Sequence, residues 1–140
     1  MISYFAEKVK MPKIGKREIS AWVKTVAGKH GFRIGEISYI FCPDEHILSI
    51  NKEYLQHDYY TDIITFDYTE KDRISGDIFI SLDTVLSNAK KFGVSYEDEL
   101  HRVIIHGILH LCGVNDKMPK EREVMKRYED EALRMLMHAP

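Results

Sequence analysis

The stretch SYEDELHRVIIHGILHLCGVND, residues 95–116, predicts the central helix of the fold. Ser95 followed by Asp98 resembles a capping box, which predicts that the helix begins there. Gly113 supplies the left-handed residue that commonly ends a helix, so the helix should run to about Cys112. Its apolar residues cover almost the whole circumference: Val103, Ile104, Ile105, Ile108, Leu109 and Leu111. A helix of this kind is expected in the core of the protein.

The remaining segments predict a small sheet covered by helices. Strands are expected at 35–42, 62–68 and 76–82, which are rich in β-branched and aromatic residues. Helices are expected at 16–30, from 43–44 to about 55, at 83–92 and from Pro119 onwards. A helix between the first two strands predicts one parallel pairing, and the polar turn before the last strand predicts a hairpin. The predicted fold class is α+β: one domain over residues 1–140, with a small mixed β-sheet covered by about five helices.

The last helix is predicted to be amphipathic. Four residues at helical spacing should face the core: Val124, Tyr128, Ala132 and Met135. The charge-rich segment KEREVMKRYEDEALR, residues 120–134, should otherwise form a solvated face with opposite charges four residues apart.

The overall composition is that of an ordinary globular protein. The chain has 140 residues, 44% of them apolar, and a formal net charge of -2. Such a balance argues against binding nucleic acid by bulk positive charge. Cys42 and Cys112 are far apart in sequence, which favours a reducing compartment. The first residues lack the apolar core of a signal peptide, and no apolar run is long enough to cross a membrane. A cytoplasmic protein without a membrane partner is expected.

The end of the central helix carries the pattern of a metal site. His106 and His110 are four residues apart and share one helix face. Gly113 can reverse the chain, so that Asp116 returns beneath the two imidazoles. This is the spacing of an extended metalloprotease motif. Three nitrogen and oxygen ligands with an open fourth position describe a catalytic zinc site, although Mn, Co, Ni or Fe also suit such ligands.

Two observations limit this interpretation. A pair of histidines at this spacing also arises by chance, with both rings bonded to carbonyl groups in the core. A shared metal would nevertheless satisfy both imidazoles, and leaving either buried and unpaired costs about 1–3 kcal/mol. Gly107 stands where metalloproteases carry the Glu that serves as general base. A peptidase is therefore disfavoured, and Gly107 more naturally permits close approach of backbone or substrate.

Three segments together resemble the YbeY family of metal-dependent endoribonucleases. HGILHLCG, residues 106–113, resembles the family's HGxLHLxG signature. NKEYLQHDYYTDIITF, residues 51–66, and SGDIFIS, residues 75–81, resemble two further family segments in the same order and spacing. The resemblance implies a single-domain α+β hydrolase, usually holding one zinc ion, that cuts single-stranded RNA. It also implies a role at the ribosomal small subunit, in maturation of the 3′ end of its RNA and in ribosome quality control.

The resemblance places the metal ligands on His106, His110 and Asp116, with two departures from the family pattern. Asp116 stands where the family usually has a third His. A carboxylate still coordinates zinc, but its charge would raise the pKa of a bound water. Leu55 replaces the family's Arg, and His57 replaces a Lys. Neither side chain offers the planar guanidinium fork that fits a phosphate group.

Several polar residues near these motifs are candidates for catalysis or for binding a substrate. His57 is a candidate catalytic acid, base or phosphate donor, with a surface-loop histidine as the alternative. Asp58, Asp62 and Arg73 are candidate substrate-binding residues, and Asp62 is also consistent with simple turn chemistry. Lys71 and Arg102 could also replace the missing Arg.

Two hypotheses from different classes follow from these residues. The leading one is a metal-dependent endoribonuclease. The second is a ribosome-associated binding module that keeps the metal for stability and has lost efficient catalysis.

Overall fold

A computed structural model describes residues 1–54 and 61–137 of the chain. These described residues contain four strands: β1 (Ile2–Ala6), β2 (Arg33–Cys42), β3 (Ile63–Asp67) and β4 (Arg73–Ser81). Five helices accompany them: α1 (Lys16–Lys29), α2 (Asp44–Tyr54), α3 (Leu82–Phe92), α4 (Tyr96–Leu111) and α5 (Pro119–Met137). None of these described helices is both long and apolar enough to cross a membrane.

The four strands form one mixed sheet in the order β1-β2-β4-β3. β1 runs parallel to β2, β2 runs parallel to β4, and β3 is antiparallel to β4. The predicted hairpin and the α+β class are therefore confirmed. The predicted pairing differs in one respect, because the parallel neighbour of β2 is β4, whereas the intervening β3 lies at the edge of the sheet.

β1 was not predicted, and its position explains why. It is a five-residue edge strand whose residues are only half-buried or exposed. Such a strand lacks the clear alternation of apolar and polar residues that predicts a half-buried strand. It is held in the sheet by a regular parallel ladder that pairs Ile2 with Ile37 and Ala6 with Phe41.

Helix α4 crosses the middle of the molecule as predicted. Ser95 caps its first turn by accepting a hydrogen bond from the Asp98 amide at 3.0 Å. Gly113 follows the helix with a φ of +89°, in the left-handed region that favours glycine. The six apolar residues of α4 named above are each at most 3% exposed. These residues pack within the main core cluster, so the end of α4 is held in a fixed position relative to the sheet.

Gly107 is a position at which α4 packs tightly against the sheet. A Cβ atom there would lie 3.1 Å from two side-chain carbons of Ile78 and 3.2 Å from Cδ1 of Ile63. The glycine therefore serves close packing against β3 and β4. A Glu at this position would be directed into the sheet, so the structure offers no place here for the general base of a metallopeptidase.

Helix α5 packs along α4 and α1, and three of its four predicted core-facing residues, Tyr128, Ala132 and Met135, do contact the core. Val124 does not belong to the core cluster. Its buried residues are Met125, Glu129 and Ala132. The Trp22 indole of α1 donates a hydrogen bond to the Ala132 carbonyl at 2.7 Å, which fixes the two helices together. Tyr128 is only partly buried against the core. The prediction of a solvated charged face was wrong for Glu129, which is 8% exposed.

Candidate active site

A cavity of about 370 Å³ opens between the start of β3, helix α4 and helix α5. Its lining is mostly polar and comprises Thr61, Asp62, Ile63, Thr65, Glu99, Arg102, Val103, His106, His110, Asp116 and Glu129. Close packing at Gly107 brings α4 against β3, while the reversal at Gly113 returns the chain so that Asp116 reaches the same space. Three predicted metal ligands and one predicted substrate-binding residue, Asp62, therefore line a single cavity.

The imidazole of His106 lies between two carboxylates. Its Nδ1 is 2.7 Å from Oε2 of Glu129, and its Nε2 is 3.3 Å from Oδ2 of Asp116. The short contact assigns the N–H of the neutral ring to Nδ1, with Glu129 as acceptor. The Nε2 lone pair then faces a carboxylate oxygen. The Nε2 lone pair of His106 and the Oδ2 oxygen of Asp116 repel each other. A cation between them, or a proton on Nε2, would therefore stabilise this arrangement.

The pKa of His106 is shifted in the direction that this arrangement predicts. Burial of the ring would by itself lower the pKa of His106. The hydrogen bond to Glu129 and the negative charges of Glu129, Asp116 and Asp62 outweigh burial and raise the pKa of the ring above its ordinary value. The surroundings of the His106 ring, Glu129 foremost, thus favour its protonated form.

The spacing of the two donor atoms is compatible with a zinc site and equally with a direct polar contact. Two ligands bonded to one tetrahedral zinc at about 2.0–2.1 Å lie about 3.3–3.4 Å apart. Nε2 of His106 and Oδ2 of Asp116 are 3.3 Å apart. Within residues 1–54 and 61–137, however, no group of three or more His, Cys, Asp or Glu side chains is arranged to hold a metal ion. His110 lines the same cavity, so the donor chemistry fits zinc although the three donors are not gathered around one point.

Glu129 was not identified from the sequence. It belongs to the charge-rich segment 120–134, in which a single carboxylate draws no attention. Its helical spacing could have indicated it. Glu129 lies four residues after Met125 and three before Ala132, on the buried stripe of α5. A carboxylate that orients the imidazole of a ligand histidine is a common feature of metal sites.

Arg102 completes a chain of charged groups behind His106. Its Nη1 donates to Oε1 of Glu129 at 2.8 Å, and its Nη2 donates to Oδ1 of Asp130 at 2.7 Å. The guanidinium therefore neutralises the carboxylate that orients His106 and fixes its position. Both arms of the fork contact a carboxylate, so the positive charge of Arg102 is already compensated by Glu129 and Asp130.

Two further carboxyl groups of the cavity are perturbed by burial. Burial raises the pKa of Asp62, and the nearby charge of His106 only partly opposes this effect. Burial and the charge of Asp62 raise the pKa of Glu99, while Arg102 opposes them. Perturbed carboxyl groups in a cleft are typical of functional sites.

The comparisons with known proteins identify the family. A family model described as endoribonuclease YbeY matches residues 2–137. The chain belongs to the endoribonuclease YbeY family. It is 65% identical over 134 residues to the endoribonuclease YbeY of Bacteroides thetaiotaomicron, covering 96% of this chain and 98% of that one. The endoribonuclease YbeY of Parabacteroides distasonis is 62% identical, with 96% of this chain and 95% of that one covered.

The fold agrees with a solved structure as well. The solution structure of TM1509 from Thermotoga maritima matches with a TM-score of 0.66 at 28% sequence identity, covering 100% of this chain and 94% of that chain. The family resemblance inferred from the three sequence segments is confirmed, and so is the predicted fold class.

The remaining candidate residues from the sequence analysis either lie outside the described residues or lie away from the cavity. Leu55, His57 and Asp58 lie outside the described residues. Arg73 is the first residue of β4, whereas the cavity residue Ile63 pairs with Ile80 near the other end of that strand. At about 3.3 Å per residue this places Arg73 roughly 23 Å from that pairing. The structure therefore does not bring Arg73 to the cavity.

Proposed function

We propose that this protein is a metal-dependent endoribonuclease that hydrolyses phosphodiester bonds in single-stranded RNA. The main observation that supports it is the position of His106 between two carboxylates, in a cavity that His110 also lines. Membership of the endoribonuclease YbeY family supplies the reaction class. We further propose that the RNA is that of the ribosomal small subunit and that the protein acts in the cytoplasm.

The residues that would hold one zinc ion are His106, His110 and Asp116. When bound, the metal would supply a Lewis acid for a phosphoryl oxygen. Glu129 keeps the proton of the His106 ring on Nδ1 and so presents the Nε2 lone pair to the cavity. Arg102 holds Glu129 in place through its Nη1 contact.

The charge of the cavity indicates why a cation belongs there. Among the residues that the structure describes, four carboxyl groups line it, on Asp62, Glu99, Asp116 and Glu129, against one guanidinium, that of Arg102. A cavity lined in this way repels a phosphodiester. The raised pKa values of Asp62 and Glu99 reduce this repulsion, and a bound divalent cation would reduce it further.

A second candidate function is a ribosome-associated binding module that retains the metal without efficient catalysis. One observation favours it: both arms of the Arg102 guanidinium are already engaged by Glu129 and Asp130. Arg73, the other arginine considered for phosphate binding, lies near the far end of β4.

The experiment compares wild-type protein with His110→Ala and a control, His30→Ala. His30 follows α1 and contacts the ring of Tyr128, away from the cavity. Zinc content is measured by mass spectrometry, and cleavage is followed on end-labelled RNA in single-stranded and duplex form. We expect zinc-dependent cleavage of the single strand in wild type and His30→Ala, and loss of both zinc and cleavage in His110→Ala. Zinc binding without cleavage in wild type would favour the binding module. Unaltered cleavage in a folded His110→Ala protein would rule out the metal mechanism.

A further inference from the structure

A second cavity, of about 540 Å³, continues from the proposed metal site and differs from it in character. The two cavities share five lining residues: Glu99, Arg102, His106, Asp116 and Glu129. The remainder of the second cavity is formed by Phe92 and Val94, where α3 leads into α4, and by Arg122, Met125 and Lys126 on α5. We name these five residues the α3–α5 subsite.

We propose that the α3–α5 subsite binds the nucleotide of single-stranded RNA that adjoins the phosphate to be cut. This inference deepens the proposed function and rests on it. The base would stack on Phe92, and a neighbouring phosphate would be held by Arg122 and Lys126.

The apolar part of the subsite suits a nucleobase. Phe92 is 59% exposed and Val94 is 44% exposed, although both are large apolar residues that burial would stabilise. Met125 is only 3% exposed and therefore lies at the floor of the cavity. Stacking of bases on exposed aromatic rings is the usual way in which proteins hold single-stranded nucleic acid.

The cations of the subsite suit a phosphate. Arg122 and Lys126 are four residues apart on α5, so they share one helix face, and both are exposed. In the part of the chain that the structure describes, neither belongs to an ion pair. Arg122 uses Nη1 to donate to the Lys117 carbonyl at 2.9 Å, which fixes its side chain and leaves further donors. In contrast to Arg102, these two cations carry charge that is not already neutralised.

The position of the subsite ties it to the chemistry. His106 and Asp116, two of the proposed zinc ligands, line the second cavity beside the α3–α5 subsite. A nucleotide seated on Phe92 would therefore have its neighbouring phosphodiester beside the metal ligands. The subsite would also supply the positive charge that Leu55 cannot provide in place of the family's Arg.

Binding of RNA, measured separately from cleavage, tests the subsite. The probe is a fluorescent single-stranded oligouridylate of eight nucleotides. Its binding is measured by fluorescence anisotropy over a range of salt concentrations. The double variant R122Q/K126Q is compared with K120Q/R127Q, which removes the same charge from the same helix at positions outside the cavity. Loss of the one phosphate that the two cations hold should lower the slope of log affinity against log salt by about 0.7, because each neutralised phosphate of a single strand contributes about 0.7. The control should retain the wild-type slope.

The aromatic contact is tested with Phe92→Ala and Phe92→Trp. Loss of one stacked base corresponds to about 5- to 150-fold weaker binding, whereas Trp should restore the affinity. If the wild-type protein cleaves RNA while both sets of variants bind and cleave normally, the subsite is refuted and the proposed function stands. If none of the proteins cleaves but binding depends on Phe92, Arg122 and Lys126, the proposed catalysis fails and the subsite remains supported. A wild-type protein that does not bind the oligouridylate would overturn the subsite.

Discussion

His106 on α4 and Glu129 on α5 are joined by a contact of 2.7 Å between Nδ1 and Oε2. The two residues are 23 positions apart in sequence, and the contact connects the central helix to the last one. It fixes the tautomer of the ring and leaves Nε2 directed at Asp116, so the geometry of the proposed zinc site depends on a residue that is not a ligand.

Replacing Glu129 should therefore weaken metal binding. In Glu129→Gln the side chain no longer offers a charged acceptor to the N–H of His106, so the ring loses basicity and orientation. Loss of such a partner typically lowers metal affinity by about 10- to 100-fold. Titration with a competing zinc indicator measures the effect. Glu131→Gln, at an exposed position of the same helix, is the control. Equal zinc affinity in the Glu129 variant and its control would contradict the role of this contact.

The role of Asp116 as the third ligand is tested by substituting this residue and, as a control, its neighbour Asn115. Asp116→Ala removes a donor and should lower zinc affinity at least tenfold, while Asp116→His replaces a carboxylate by an imidazole and should retain the metal. Asn115 lies beside Asp116 but lines a different surface pocket. Asn115→Ala should therefore bind zinc as wild type does. Zinc content after extensive dialysis distinguishes these variants, and metal retained in Asp116→Ala would exclude this residue as a ligand.

Gly107 should be intolerant of a single added methyl group. Gly107→Ala places a Cβ 3.1 Å from Ile78 carbons and should destabilise the protein by about 1–3 kcal/mol, because the core must shift to accept it. Gly28 in α1 provides a matched control, since nothing lies within 4 Å of a Cβ built there. Gly28→Ala should stabilise the protein by about 0.5–1 kcal/mol. Urea denaturation measures both, and equal effects of the two substitutions would contradict the close packing of α4 on the sheet.

Glu99 should make folding stability depend on pH. Burial and the charge of Asp62 raise the pKa of Glu99 above its ordinary value of 4.5 in the folded protein. The proton is thus held more tightly in the folded state, and the stability it confers is lost as the pH rises through the raised pKa.

Glu99→Gln removes this dependence. The variant should be more stable than wild type at pH 7, and the advantage should shrink as the pH falls through the raised pKa towards 4.5. Denaturation of the zinc-free proteins from pH 4 to pH 8 measures the difference, with Glu97→Gln at an exposed position of α4 as control. A pH-independent difference would show that the charge of Glu99 is not the cause.

The sequence was most informative where apolar periodicity and glycine positions agree. The buried stripe of α4, its cap at Ser95 and its end at Gly113 could all be predicted, and with them the cavity that His106, His110 and Asp116 share. β1 could not be predicted, because an edge strand of five half-exposed residues has no strong periodicity. The placement of β3 at the edge also escaped prediction, since local patterns do not determine which strands become neighbours.

The site itself was only partly predictable for a similar reason. The spacing of side chains along one helix is a local property, and it indicated directly that His106 and His110 share one face. Glu129 reaches His106 from another helix, and its selection among the carboxylates of α5 depends on how α5 packs. Arg102 was a candidate phosphate ligand because it is a cation near the motif. Its two ion pairs become visible only when α4 and α5 are placed side by side.

The link between α4 and α5 has a consequence for biosynthesis. A growing chain contains both imidazoles of the HGILHLCG segment well before it contains residue 129. Until α5 docks through Trp22 and Ala132, the His106 ring lacks the Glu129 carboxylate that holds its N–H on Nδ1. Binding of the proposed metal would thereby depend on the docking of α5 against α1 and α4, so that packing of these helices and assembly of the site would be one event.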